Sequence, residues 1–303
     1  MNEFLFFLLT GICIGAIYAL IALGYTLVYG IIKLINFAHG EFYMLGAYAG
    51  FGVYCLLPDT LSVWISIPVV LITSGIAGAT IAVFTEIIAY KPIRKNGRLA
   101  ALLTAIGVSF LLQNAASFIN NASPLQYDTS KIGSIGEICQ HPLGDTGIKI
   151  IQFHFIWLSA LLTLLLWFIV KYTNFGRAMR AVSQDADAAV LMGININSVI
   201  RKTFALGGFM AGVAGSLIAI QSIITPLMGF MPGLKAFIAA VIGGIGSIPG
   251  AFLGGLIIGI IENIVVWFGI PSGYKDIASF VVLIIALIIR PQGILGKKIK
   301  EKV

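Results

Sequence analysis

The sequence predicts an all-α bundle whose helices cross a lipid bilayer many times, and three observations carry that expectation. Of the 303 residues, 59% are hydrophobic and only 10% charged, too few charges to clothe a soluble domain of this size. Apolar runs close to the ~20 residues needed to span a bilayer recur along the whole chain. Inside those runs glycines repeat at four-residue spacing, as in Gly11 and Gly15 or Gly208 and Gly212, where small residues let helix backbones approach closely in lipid.

The mean hydropathy is +1.01. The formal net charge of +7 collects in short connections and the C-terminal tail, where lysine and arginine act as topology signals, so no nucleic-acid partner is expected. Cys13 and Cys55 lie in apolar runs and read as small packing residues, while Cys139 falls in the longest polar loop without an obvious partner. No disulfide or metal framework follows. Glu3 precedes the first apolar run with no basic residue beside it, so residues 4–29 read as a retained span rather than a cleaved secretory signal.

Taken in order, residues 4–29 form the first span. Gly30 and Lys33 follow, then Asn36-Phe37-Ala38-His39-Gly40-Glu41-Phe42-Tyr43, then a second apolar segment over 42–57. Ionisable groups at membrane depth cost roughly 2.5–3.5 kcal/mol each on insertion scales, so this cluster marks a break in the helices. His39 and Glu41 could satisfy the backbone groups freed there, touch a passing solute, or act as a gate. Asp59 and Thr60 offer caps for a span over 61–90, which Pro68 could kink. Residues 91–98 carry Lys91, Arg94, Lys95 and Arg98 without an acid, and the positive-inside rule assigns them to the cytoplasm.

Residues 99–119 then cross outward to an external loop over 120–149, where Asp128, Glu137 and Asp145 balance Lys131 and Lys149. Residues 150–170 return, and 171–202 form a second cytoplasmic connection bracketed by basic residues. Residues 203–220 cross outward to a short external connection over 221–235. The stretch 236–268 is too long for one helix, and Gly243-Gly244-Ile245-Gly246-Ser247-Ile248-Pro249-Gly250 divides it. Residues 277–289 make the last crossing, starting near Tyr274. Splitting 236–268 gives about nine membrane segments, within a range of eight to ten, with the N-terminus outside. The C-terminus, with Arg290, Lys297, Lys298, Lys300 and Lys302, is then cytoplasmic.

Within the 171–202 connection, residues 176–193 predict a short surface helix about 14 Å long. Ser183 is the expected N-cap, Asp185 and Asp187 sit at its positive first turn, and Gly193 ends it. Ala186, Ala189 and Val190 offer small and apolar surface beside Arg177 and Arg180. The pattern alone fits a solvated connector as well as a helix that docks in a partner's groove. Glycines 243, 244, 246, 250 and 254 lie between apolar helices with no strand nearby, so close helix packing is expected rather than a dinucleotide site. Glu262 and Asn263 form another intramembrane polar pair. His39, His141 and His154 lack metal-ligand spacing, and no serine or cysteine has a nucleophile context, so neither a metal site nor a catalytic residue is expected.

Residues 36–48, 176–193 and Ala240-Val241-Ile242-Gly243-Gly244-Ile245-Gly246-Ser247-Ile248-Pro249-Gly250-Ala251 resemble, in order, the signatures of permease subunits of branched-chain amino acid ABC importers, the H-type above all. The resemblance covers essentially the whole chain. It implies a single permease domain over 1–303 of the type II-like importer class in a bacterial inner membrane. It also implies a second related permease subunit, two cytoplasmic ATPase subunits and an external solute-binding protein. It assigns ATPase coupling to Arg177, Arg180, Ser183, Asp185, Ala186, Ala189 and Gly193, and makes Asn36, His39, Glu41 and Tyr43 pathway candidates. Gly243, Gly244, Gly246, Gly250 and Gly254 become candidates for helix packing or the subunit interface. The chain has no G-x-x-x-x-G-K-[ST] phosphate loop, so ATP and Mg are expected on the partner subunits. Expected cargo is leucine, isoleucine or valine, with another small amino acid, urea or an amide as alternatives. The reading of a different class is a stand-alone secondary transporter or channel, supported by the broken helix. The sequence shows no clear inverted repeat or ion-coupling carboxylate pair for that class.

Overall fold

The computed structural model describes residues 3–34, 36–58, 61–94, 96–128 and 149–296. Expectations resting on Asp59, Thr60, Lys95, Lys131, Glu137, Cys139, His141, Asp145, Lys297, Lys298, Lys300 and Lys302 lie outside the described residues.

Among the described residues the chain is helical: α1 (Glu3–Ile32), α2 (His39–Leu56), α3 (Val63–Thr85), α4 (Arg98–Ile119), α5 (Ile150–Tyr172), α6 (Asn174–Gln184), α7 (Ala186–Leu191), α8 (Ile196–Gln221), α9 (Phe230–Gly243), α10 (Ile248–Trp267) and α11 (Lys275–Ile289). One isolated antiparallel bridge joins Leu125 to Ile224. The predicted all-α class therefore holds. Seven helical stretches among the described residues are long and apolar enough to cross a membrane: α1, α3 with the turns that follow it (Trp64–Ile93), α4, α5, α8, α10, and α11 with the turn before it (Ser272–Ile289). The 18-residue α2 and the 14-residue α9 pack among them.

α8 is the axis of the bundle, packed against α1, α2 and α3, while α1 also lies along α10. Small residues make these approaches. A Cβ on Gly11 would stand 2.9 Å from the carbonyl oxygen of Gly259, and one on Gly15 would stand 2.8 Å from that of Gly255. On α8, Gly212 takes the backbone of α2 at Gly46, and Gly208 takes that of α3 at Gly78. The four-residue glycine spacings are thus contact faces, the arrangement expected where van der Waals packing drives helix association. Large apolar side chains such as Phe110, Leu164 and Ile288 point outward from α4, α5 and α11.

Two features differ from expectation and a third agrees with it. α3 stays helical through Pro68, and its irregularity comes at a π-helical turn, Glu86–Tyr90, before a final turn, Lys91–Ile93. The connection expected over 221–235 ends early, because α9 begins at Phe230 and Lys235 is buried. The division of 236–268 falls where expected, with Gly244 and Gly246 both at positive φ (+102° and +93°) before α10, a region glycine enters without a Cβ clash.

Candidate functional site

The break between α1 and α2 is built by side chains. Lys33 takes a left-handed φ of 56° after α1 ends. Asn36 Oδ1 then accepts from the backbone N–H of Ala38 at 3.0 Å and from the hydroxyl of Tyr90, in the π turn, at 2.5 Å. One amide thus satisfies a backbone donor at the break and ties it to α3. The polar run expected to interrupt the helices lies largely inside the first turns of α2.

Asn36, His39, Glu41 and Tyr43 are 2%, 1%, 1% and 2% exposed, so all four are enclosed by this chain. The His39 ring stands edge-on to Tyr25 and Phe42, with centroids 4.7 and 5.5 Å away. It occupies space that a Cβ on Gly24 would fill. Glu41 Oε1 accepts from Ser109 Oγ at 2.8 Å and Gln113 Nε2 at 2.7 Å, both on α4. Its Oε2 faces Gly229, the residue capping α9, whose added Cβ would stand 3.2 Å away. Gly40 and Gly229 press backbone to backbone. The carboxylate therefore sits in the first turn of α2 and beside that of α9, where two sets of aligned peptide dipoles favour negative charge.

A second buried polar group links four helices. Lys235 Nζ on α9 lies 2.8 Å from Glu262 Oε1 on α10 and 2.6 Å from Asp276 Oδ1 on α11. Tyr18 on α1 donates to Glu262 Oε2 at 3.1 Å, and Ser279 donates to Oε1 at 2.5 Å. Lys235 and Glu262 are 3% and 0% exposed.

Between α5 and α8 the chain makes a compact hook. Thr173 caps α6, accepting from Gly176 N at 3.2 Å. Arg180 donates to the carbonyls of Val170 and Lys171, the last turn of α5, where helix carbonyls lack partners of their own. Arg177 donates to Asn174 Oδ1. Ser183 does not cap a helix: its hydroxyl donates to the Arg180 carbonyl at 2.8 Å, because α6 continues through it. Asp185 is the cap instead, accepting from Ala188 N at 3.0 Å to start the six-residue α7. That helix is about 9 Å long, shorter than expected because the connection folds as two helices. Gly193, at φ +80°, closes it as anticipated. Ala186 is exposed, whereas Ala189 is buried against the chain itself. The exposed apolar tip is Val190, Leu191 and Met192, the last two 88% and 82% exposed.

The sequence pattern of the family described as branched-chain amino acid transport system / permease component matches residues 7–287. The chain belongs to this family. It is 41% identical over 314 residues to the high-affinity branched-chain amino acid transport system permease protein LivH of Escherichia coli K12, covering 100% of this chain and 99% of that protein. It is 40% identical over 304 residues to the corresponding permease protein BraD of Pseudomonas aeruginosa, covering 98% and 97%. More distant similarity, 28% over 282 residues, reaches the ribose import permease protein RbsC of Haemophilus influenzae, with 89% and 80% covered.

In this multi-pass permease, four of the five glycines singled out by sequence, Gly243, Gly244, Gly250 and Gly254, lie in close contacts within the chain. Gly243 meets Gly250, and Gly254 meets Ala239, joining α9 to α10. Gly244 packs on Gly296, while Gly246 faces open space. Sequence reasoning missed Tyr90, Ser109 and Gln113 as partners of the break, and Leu191 and Met192 at the hook's tip. It also missed Lys235 and Asp276. The available signal was a lysine and two carboxylates, Glu262 and Asp276, in segments otherwise almost free of charge.

Proposed function

We propose that this chain is one membrane half of an ABC importer, moving branched-chain amino acids delivered by an external solute-binding protein across a bacterial inner membrane. The observation that carries the coupling is the α6–α7 hook, a capped pair of short helices held to the end of α5 and presenting Val190, Leu191 and Met192. Such a tip suits an apolar groove on a cytoplasmic ATPase. Two ATPase subunits would bind ATP and Mg, and a second, related permease would complete the path in a heterodimer of the type II class. The cargo follows the named activity of the relatives that match the chain over nearly its full length.

With α2 and α9 counted beside the seven long apolar helices, the reading is of nine membrane segments. An odd count sets the termini on opposite sides, and the basic residues at 91–98 and 171–202 favour a cytoplasmic C-terminus. In this arrangement Asn36, His39, Glu41 and Tyr43 act on the path through the positions of α2 and α9. Arg177, Arg180, Ser183, Asp185, Ala186, Ala189 and Gly193 build the coupling hook. The test is purification from the membrane with and without Leu191→Asp. The unaltered chain is expected to bring down an ATPase and a second permease. Leu191→Asp should insert normally yet lose the ATPase and amino acid uptake. Full uptake and ATPase recovery in the variant would remove the hook from coupling.

A further inference from the structure

We infer that the outer face between α5 and α10 is a binding groove for an anionic phospholipid. A groove of about 430 Å³ is lined by Thr163, Leu164 and Trp167 on α5 and by Pro249, Phe252 and Leu253 on α10. Its walls are apolar, with one hydroxyl, and suit an acyl chain. Charge is confined to one end. Lys171, one turn beyond Trp167, is exposed and lies over the Trp167 ring with its Nζ 4.3 Å from the centroid. Tyr172 brackets the same ammonium at 5.2 Å. Arg177 and Arg180 follow on α6, and no acidic residue occurs from 149 to 184. Pro249 lies in the first turn of α10, so the positive end of a 20-residue helix borders the groove there too.

An apolar slot ending at the exposed Lys171 ammonium and its aromatic neighbours matches the two parts of an anionic lipid, and membrane-interface aromatics favour that depth. Zwitterionic lipid could fill the slot but would leave the rim without a net counter-charge. Only the assignment to the cytoplasmic leaflet rests on the transport reading above.

Native mass spectrometry tests the site on the full chain, in whatever complex it leaves the membrane with. The complex would be released from nanodiscs of equal phosphatidylglycerol and phosphatidylethanolamine. Bound phosphatidylglycerol is expected to predominate, and Lys171→Gln to weaken that preference by about fivefold, the effect of one basic residue at an anionic surface. Leu253→Trp should fill the slot and lower bound lipid of both kinds. Should Leu253→Trp fail to fold, the exposed Lys171→Gln still decides. Absence of headgroup preference in the unaltered chain, or an undiminished preference in Lys171→Gln, overturns the inference. So does a cross-linker at Leu164→Cys that captures the second permease subunit and no lipid. The readout needs neither cargo nor ATP, so failed uptake leaves it untouched, and failed lipid selection leaves the importer reading standing.

Discussion

Gly24 leaves the imidazole of His39 its place between Tyr25 and Phe42, so the two residues function as a pair. Gly24→Ala should destabilise the protein by about 1–3 kcal/mol through overpacking. The same change should cost less in a His39→Ala background, since residues in contact do not add. Thermal unfolding of the four proteins in detergent measures the coupling, and equal losses in both backgrounds would separate the two sites. Glu41 depends on what its oxygens accept. Glu41→Gln keeps the shape but turns a donor toward Ser109 and Gln113 or toward the start of α9. A loss of about 1–3 kcal/mol is expected for such a mispaired buried group. Uptake should fall in parallel with the unfolding midpoint. Lost uptake with an unchanged midpoint would assign the carboxylate to cargo or gating instead. The presence of Asn36, His39 and Glu41 in an apolar neighbourhood was legible in the sequence. Their partners were not, because Tyr90, Ser109 and Gln113 lie on helices brought alongside only by folding.

At the scale of elements, hydropathy located the seven long apolar helices, because a bilayer demands length and apolarity from each segment separately. It failed at α9. This helix starts at Phe230, with its cap Gly229 against the backbone of α2 at Gly40, in a stretch whose Pro226, Gly229, Pro232 and Gly233 made the residues before Ala236 resemble a connection. Its buried Lys235 is compensated by carboxylates 27 and 41 positions later in the chain, Glu262 and Asp276. Lys235→Met should therefore cost about 3–5 kcal/mol, the usual result of leaving one partner of a buried ion pair alone. Adding Glu262→Gln and Asp276→Asn should recover much of the loss. Folded yield and melting temperature of the single and triple variants check this, and a triple variant no better than the single would mean that the lysine acts through other contacts. The hook shows the same division of legibility. Gly193 announced its end, but the split into α6 and α7 depended on Asp185 outcompeting Ser183 as a cap, a choice set by where α6 stops.

The whole molecule is an inside-out bundle whose glycine faces meet around α8 and whose large apolar side chains look outward. Proposed sidedness is open to a direct measurement. With Cys13, Cys55 and Cys139 replaced, a cysteine at Met192 should react with an impermeant maleimide only from the cytoplasmic side, and one at Ser123 only from outside. Labelling of both from one side would refute the nine-segment arrangement. One feature of the fold also bears on how the chain is made. The last turn of α9 leaves carbonyls that α9 itself cannot satisfy. Ile242 O receives the N–H of Ile294 at 2.8 Å, and Gly243 O that of Leu295 at 3.0 Å. These donors leave the ribosome roughly fifty residues after the acceptors. The end of α9 therefore lacks these two hydrogen bonds until residues 294–295 have been made.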